Sequence, residues 1–154
     1  MYESEFPLDE AVIYLNHAAV SPWPQRTATA VKRFADENAS LGSRNYPQCV
    51  AVESLLRIHL QQRVNADSSA EIALLINTSE ALSVVAYGLP WKPGDKVVIT
   101  SQEFPSNRVV WESLEKLGVS TVPADLLQHD TPEAAIIECL DENTRLLSVS
   151  SVQY

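Results

Sequence analysis

Glycine is scarce in this chain, with four in 154 residues and no two of them in G-x-G spacing. A Rossmann dinucleotide fingerprint and a P-loop both need closely spaced glycines, so both are unsupported. The two cysteines, Cys49 and Cys139, are too few and too far apart for a disulfide framework or a zinc knuckle. The three histidines, His17, His59 and His129, are dispersed without metal-ligand spacing. No stretch approaches the ~18 consecutive apolar residues of a membrane span. Basic residues are also few: eleven Lys and Arg against twenty Asp and Glu give a net charge of -9. That balance argues against nucleic acid as a partner, because phosphate-backbone binding draws on clustered Lys and Arg. Residues 1–10 carry three acidic side chains by Asp9 and neither the basic start nor the apolar run of a secretory signal. The expectation is a cytoplasmic protein with no membrane partner.

What is present is enough for a packed core. A chain of ~150 residues can bury close to 70% of its unfolded surface, and 45% hydrophobic with 20% charged residues is ordinary globular composition. Pro22 and Pro24 punctuate an opening loop. Ala28, Val31 and Ala35 then recur at helical spacing from about Gln25 to Asn38. Residues 48–63 predict a second amphipathic helix, with Val52, Leu55, Leu56 and Leu60 on one stripe.

Beyond residue 70 the pattern changes. Ile72-Ala73-Leu74-Leu75-Ile76 reads as a strand buried on both faces, followed by a helix over 79–89. Pro93-Gly94-Asp95 predicts a turn, and Val97 to Thr100 a second strand. A helix over 105–117 ends at Gly118, ahead of a third strand over 119–122. Thr131-Pro132-Glu133 starts another helix, and 146–152 is the last strand. Alternating strands and helices with short connections predict an α/β fold with a mainly parallel sheet flanked by helices. The sheet begins near residue 71, so residues 1–70 form a preface of loop and helices and residues 71–154 the α/β part.

Ligands of parallel α/β sheets sit beyond the carboxyl ends of strands, here after Ile76, Thr100 and Ser150. After Ile76 comes Asn77-Thr78-Ser79-Glu80-Ala81, a helix start whose free N–H groups and hydroxyls suit a phosphate. The same residues equally suit a capping box between Asn77 and Glu80. After Thr100 comes Ser101-Gln102-Glu103-Phe104-Pro105-Ser106-Asn107, where Phe104 either lies on a planar ligand or belongs to the core. Asn16 and His17 sit among small residues in the opening loop.

In this order, these segments resemble the class V aminotransferase family of pyridoxal-phosphate (PLP) enzymes. That family includes cysteine desulfurases, selenocysteine lyases and isopenicillin N epimerase-like proteins. Tyr14-Leu15-Asn16-His17-Ala18-Ala19-Val20-Ser21-Pro22 is similar to the family's opening motif, and Asn77 to Ala81 to its phosphate-binding motif. Leu89 through Val98 is similar to the segment that follows it, Glu103 to Asn107 with Trp111 to the ring-stacking motif, and Thr144 to Val152 to a later strand. The resemblance spans nearly the whole chain. It implies the N-terminal part of a fold type I PLP-dependent transferase large domain, with residues 71–154 as a partial cofactor-binding domain. It also implies that amides near Thr78 and Ser79, with the Ser79 hydroxyl, hold the cofactor phosphate. Phe104 then stacks on the pyridine ring, and Asn16 and His17 line the substrate side. Asn77 stands where the family usually has Gly, and Phe104 where many relatives have a titratable His.

Such chemistry needs a Lys to bind the cofactor aldehyde and an Asp to pair with the pyridinium nitrogen. In the family both follow the strand at which this chain stops, and Lys32, Lys92, Lys96 and Lys116 match no such motif. The resemblance therefore implies an N-terminal portion, inactive alone, of an enzyme acting on amino-acid substrates by transamination, desulfuration, elimination or epimerisation. The alternative is a non-catalytic interaction or phosphate-binding module that keeps the fold. Apolar faces left uncovered by a partial sheet predict self-association, as a homodimer.

Overall fold

The structure, a computed structural model, describes residues 4–17 and 20–152. The chain divides into two compact units, residues 1–74 and 75–154.

The first unit is built on two helices, α1 (Gln25–Leu41) and α2 (Tyr46–Val64). Gly42, at φ +58°, ends α1 and donates its N–H to the Asn38 carbonyl. Asn65 ends α2 in the left-handed conformation, a role Asn fills more easily than most residues. Asn45 Nδ2 donates to Glu37 Oε1 at 2.6 Å, tying the connection back onto α1. Both helices form where apolar periodicity predicts them. No residue of either is buried, however, so the stripe of Val52, Leu55 and Leu56 stays exposed.

Residues 72–76 are a correction. The apolar run predicts a buried strand, yet it runs as irregular chain and Ile76 is 88% exposed. A strand needs a neighbour to satisfy its N–H and C=O groups, and none pairs with it among the described residues. The Arg57 guanidinium instead donates to the Ile72 carbonyl.

The second unit is α/β with a parallel three-stranded sheet, order β2-β1-β3. Its elements are α3 (Thr78–Gly88), β1 (Lys96–Thr100), α4 (Ser106–Glu112), β2 (Ser120–Ala124), α5 (Pro132–Cys139) and β3 (Thr144–Ser148). The helix expected over 105–117 is α4 followed by a 3-10 turn over Ser113–Leu117, and Gly118 ends it at φ +78°. The last strand stops at Ser148, short of the expected Val152. Pro93-Gly94 forms the expected turn, with Asp95 N–H donating to the Lys92 carbonyl at 3.0 Å and Gly94 at φ +96°.

Strand β1 is central and buried, Val97 pairing with Thr121 on one side and Leu146 on the other. Side chains alternate across a strand, and Val97 and Ile99 enter one core with Ala86, Val110, Trp111, Leu114 and Val119. A Val, Leu or Ile side chain, fully buried, contributes about 1.5–3 kcal/mol. Helix α5 packs on β1 and β2 through the buried Ala135. At the other end of the sheet, Lys96 pairs with Asp141 in the turn before β3.

Candidate functional site

The start of α3 is capped in both directions. Asn77 Oδ1 accepts the Glu80 N–H at 2.9 Å, and Glu80 Oε2 accepts the Ile76 N–H at 2.8 Å. The Asn77 cap uses the third amide of the helix, and Glu80 reaches the residue before the cap rather than the cap amide of a standard capping box. The amides of Thr78 and Ser79 are left at the positive dipole end. Capping and anion binding are therefore compatible at this terminus.

Ser79 Oγ donates to Ser106 Oγ at 3.0 Å, which brings the start of α3 beside the start of α4. Phe104 lies two residues before Ser106, and 50% of its surface is exposed. An open groove of about 410 Å³ runs from these serines between α3 and α4, past Ser83 and Val109. Tyr87 Oη and Ser113 Oγ, 2.8 Å apart, close its far end.

Phe104 is held from both sides. Glu103 and Asn107 are 8% and 7% exposed. The Glu103 carboxylate accepts the Ser150 N–H at 2.7 Å and the Ser150 hydroxyl at 2.6 Å, with the Thr100 hydroxyl at 3.2 Å. Burial pushes its carboxyl up, but hydrogen bonds from Ser150, Asn107 and Thr100 outweigh burial and leave it below the usual glutamate value. Asn107 Oδ1 accepts the Trp111 indole N–H at 3.0 Å and the Ser148 hydroxyl. The backbone N–H of Asn107 donates to the Phe104 carbonyl at 2.8 Å.

Thr78, Ser79 and Phe104 thus belong to one neighbourhood of the second unit. Asn16 and His17 lie in the first unit, both exposed, with the Tyr14 ring edge-on to His17 at 5.1 Å. Ser21 Oγ donates to the His17 carbonyl. Ala18 and Ala19 of the same motif lie outside the described residues. The lysines are placed elsewhere: Lys32 in α1, Lys92 in the turn, Lys96 paired with Asp141, and Lys116 over the Tyr87 ring at 5.7 Å. Cys49 and Cys139 are free thiols. Sequence reasoning missed the Glu103–Ser150 and Asn107–Ser148 bonds. The i, i+4 spacing of Asn107 and Trp111 was the one local signal available.

A capped helix beside a parallel sheet, with an aromatic residue just past the end of the central strand, defines an α/β fold of the kind whose ligands, where they have them, sit at that strand end. The profile of the family described as aminotransferase class-V matches residues 13–153, and the chain belongs to that family. A probable cysteine desulfurase of Methanothermobacter thermautotrophicus is 32% identical over 96% of this chain and 38% of its own length. A cysteine desulfurase of Pectobacterium carotovorum is 29% identical over 97% of this chain and 40% of its own length. The chain thus spans about two fifths of the length of these curated relatives. Among solved structures, a C-DES variant with glycine covalently linked to its PLP cofactor superposes with a TM-score of 0.82 at 19% identity, covering 99% of this chain and 41% of the other. The Escherichia coli cysteine desulfurase CsdA superposes with a TM-score of 0.75 at 23% identity, covering 95% of this chain and 39% of the other. Both show the fold.

Proposed function

We propose that this chain carries the phosphate-holding and ring-contacting part of a PLP site that acts on amino-acid substrates. The Ser79–Ser106 hydrogen bond carries the reading, because it joins the phosphate motif to the segment bearing Phe104. The donor set fits the cofactor: two amides at a helix N-terminus and a hydroxyl for a dianionic phosphate, and a half-exposed ring for the pyridine face.

In this reading the Thr78 and Ser79 amides bind the phosphate, and the Ser79 hydroxyl turns from Ser106 toward it. Phe104 covers one face of the ring and excludes water from it. PLP supplies an electron sink for bonds at the amino-acid α-carbon. Substitution of His by Phe104 leaves that face without a group able to move a proton. The substrate-side roles of Asn16 and His17 rest on the resemblance of the Tyr14–Pro22 segment alone. The attaching Lys and the pyridinium Asp are not among the matched motifs, so this portion binds PLP reversibly and does not turn over substrate. Desulfuration is the reaction class favoured by the cysteine desulfurase relatives. The exposed faces of α1 and α2 support a homodimer, and the proposed setting is the cytoplasm.

Borohydride reduction of the PLP-saturated full chain, followed by peptide mapping, tests this. Saturable binding without a stoichiometric adduct at Lys32, Lys92, Lys96 or Lys116 is expected. A stoichiometric adduct at one of them, or no saturable binding, overturns the reading.

A further inference from the structure

The strand-end segment after β1 is anchored more heavily than a loop requires. Two of its five residues between Glu103 and Asn107 are buried polar side chains, and both reach across to the end of β3. Glu103 takes two hydrogen bonds from Ser150, and Asn107 takes one from Ser148. Neither side chain faces the α3–α4 groove, whose lining comes from the α3 and α4 surfaces. Between these anchors stands Phe104, with its carbonyl held by the Asn107 N–H and Pro105 fixing the next φ. Burying a carboxylate is costly unless donors compensate, and here donors come from the ends of β1 and β3.

We propose that Glu103 is a positioning residue: its carboxylate clamps the end of β3 to the end of β1 and thereby sets where the Phe104 ring stands. This rests on the PLP reading given above for the identity of the ligand, but the clamp is a property of the chain itself. The Phe104 ring is half exposed, and the backbone that carries it is fixed by the buried residues on either side. Those anchors set the height and tilt of the ring over a bound planar ligand.

PLP titration of the full chain, read by the visible circular dichroism of bound cofactor, tests it on Glu103→Gln, Ser150→Ala, Phe104→Ala and the Glu103→Gln/Phe104→Ala double variant. Glu103→Gln is expected to weaken PLP binding about tenfold and to alter the visible signal while far-UV dichroism is unchanged. Ser150→Ala, which keeps the carboxylate and removes one donor, shifts both readouts the same way by about threefold. The double variant is expected to bind no more than about twofold worse than Phe104→Ala, because both changes act through one ring. A folded Glu103→Gln chain with wild-type affinity and signal, or fully additive losses, overturns the clamp and leaves the PLP reading standing. If the wild-type chain does not bind PLP, that reading fails, and the Phe104 ring resonances of the cofactor-free chain decide the clamp. Shifts of those resonances in both Ser150→Ala and Glu103→Gln support it, and unmoved resonances overturn it.

Discussion

Glu103 and Ser150 stand 47 positions apart and share two hydrogen bonds, from the Ser150 amide at 2.7 Å and its hydroxyl at 2.6 Å, both to one carboxylate. This contact joins the carboxyl ends of the central and third strands at the place where parallel α/β sheets hold ligands.

Stability should depend on the ionisation of Glu103. Its folded-state value lies below its unfolded one, so its contribution is complete above the unfolded value and is lost as pH falls through the folded value. Hydrogen bonds to a charged group contribute about 1.5–3 kcal/mol, and Glu103→Gln is expected to cost that order at neutral pH. Urea midpoints between about pH 7 and pH 3 should fall less steeply in Glu103→Gln than in wild type. Asp141, held low chiefly by its hydrogen bond from Lys96, supplies a slope common to both. Parallel curves would contradict the assignment.

Trp111 joins the apolar core to the Asn107 network. It is buried, and its indole N–H donates to Asn107 Oδ1. Trp111→Ala should destabilise the second unit by about 3–5 kcal/mol. Trp111→Phe keeps most of the volume and loses the donor, so a smaller loss of about 1–3 kcal/mol is expected. A Trp111→Phe chain that unfolds like wild type in heat or urea would show that the hydrogen bond contributes nothing.

Gly118 ends the 3-10 turn at φ +78°, and a Cβ there would meet Pro93 Cα and Cβ at 3.1 Å. Gly118→Ala should cost at least about 1–2 kcal/mol from the left-handed backbone alone. Gly94, also at positive φ, has open space where a methyl group would stand, so Gly94→Ala should cost less. Thermal unfolding of the two variants compares them directly.

The proposed homodimer predicts concentration-dependent sedimentation. Phe34, Val52, Leu55 and Leu56 are exposed on α1 and α2, and neither helix has a buried residue. Leu55→Glu should shift the chain toward monomer. A wild-type monomer at high concentration would refute the dimer.

Elements whose punctuation is local were legible in the sequence. Thr131 caps α5 through the Ala134 N–H, Pro93-Gly94 makes its turn, and Gly118 stops its helix. The motif order also identified the family that residues 13–153 match. What failed depends on distant neighbours. The run 72–76 has strand composition, but pairing is decided by whether another strand lies alongside. The expected apolar stripe of α2 is not a segregated face, because Tyr46, Val50, Ile58 and Val64 are exposed as well as Val52, Leu55 and Leu56. Glu103 escaped because glutamate is rarely buried, and Ser150, which binds it, lies 47 residues away. Thr78, Ser79 and Phe104 are the positions that the family resemblance points to. The Ser79–Ser106 bond that brings their segments together could not be read from the sequence.

The most direct test is competition between PLP and inorganic phosphate for the full chain, repeated with Ser79→Ala and Phe104→Ala. Saturable PLP binding, displaced by phosphate and weakened about tenfold by each substitution, is the expected result. Phosphate should compete equally well in Phe104→Ala, because the role proposed for that ring is toward the pyridine alone. PLP binding that phosphate does not displace, or that neither substitution weakens, would contradict a site built from Thr78, Ser79 and Phe104.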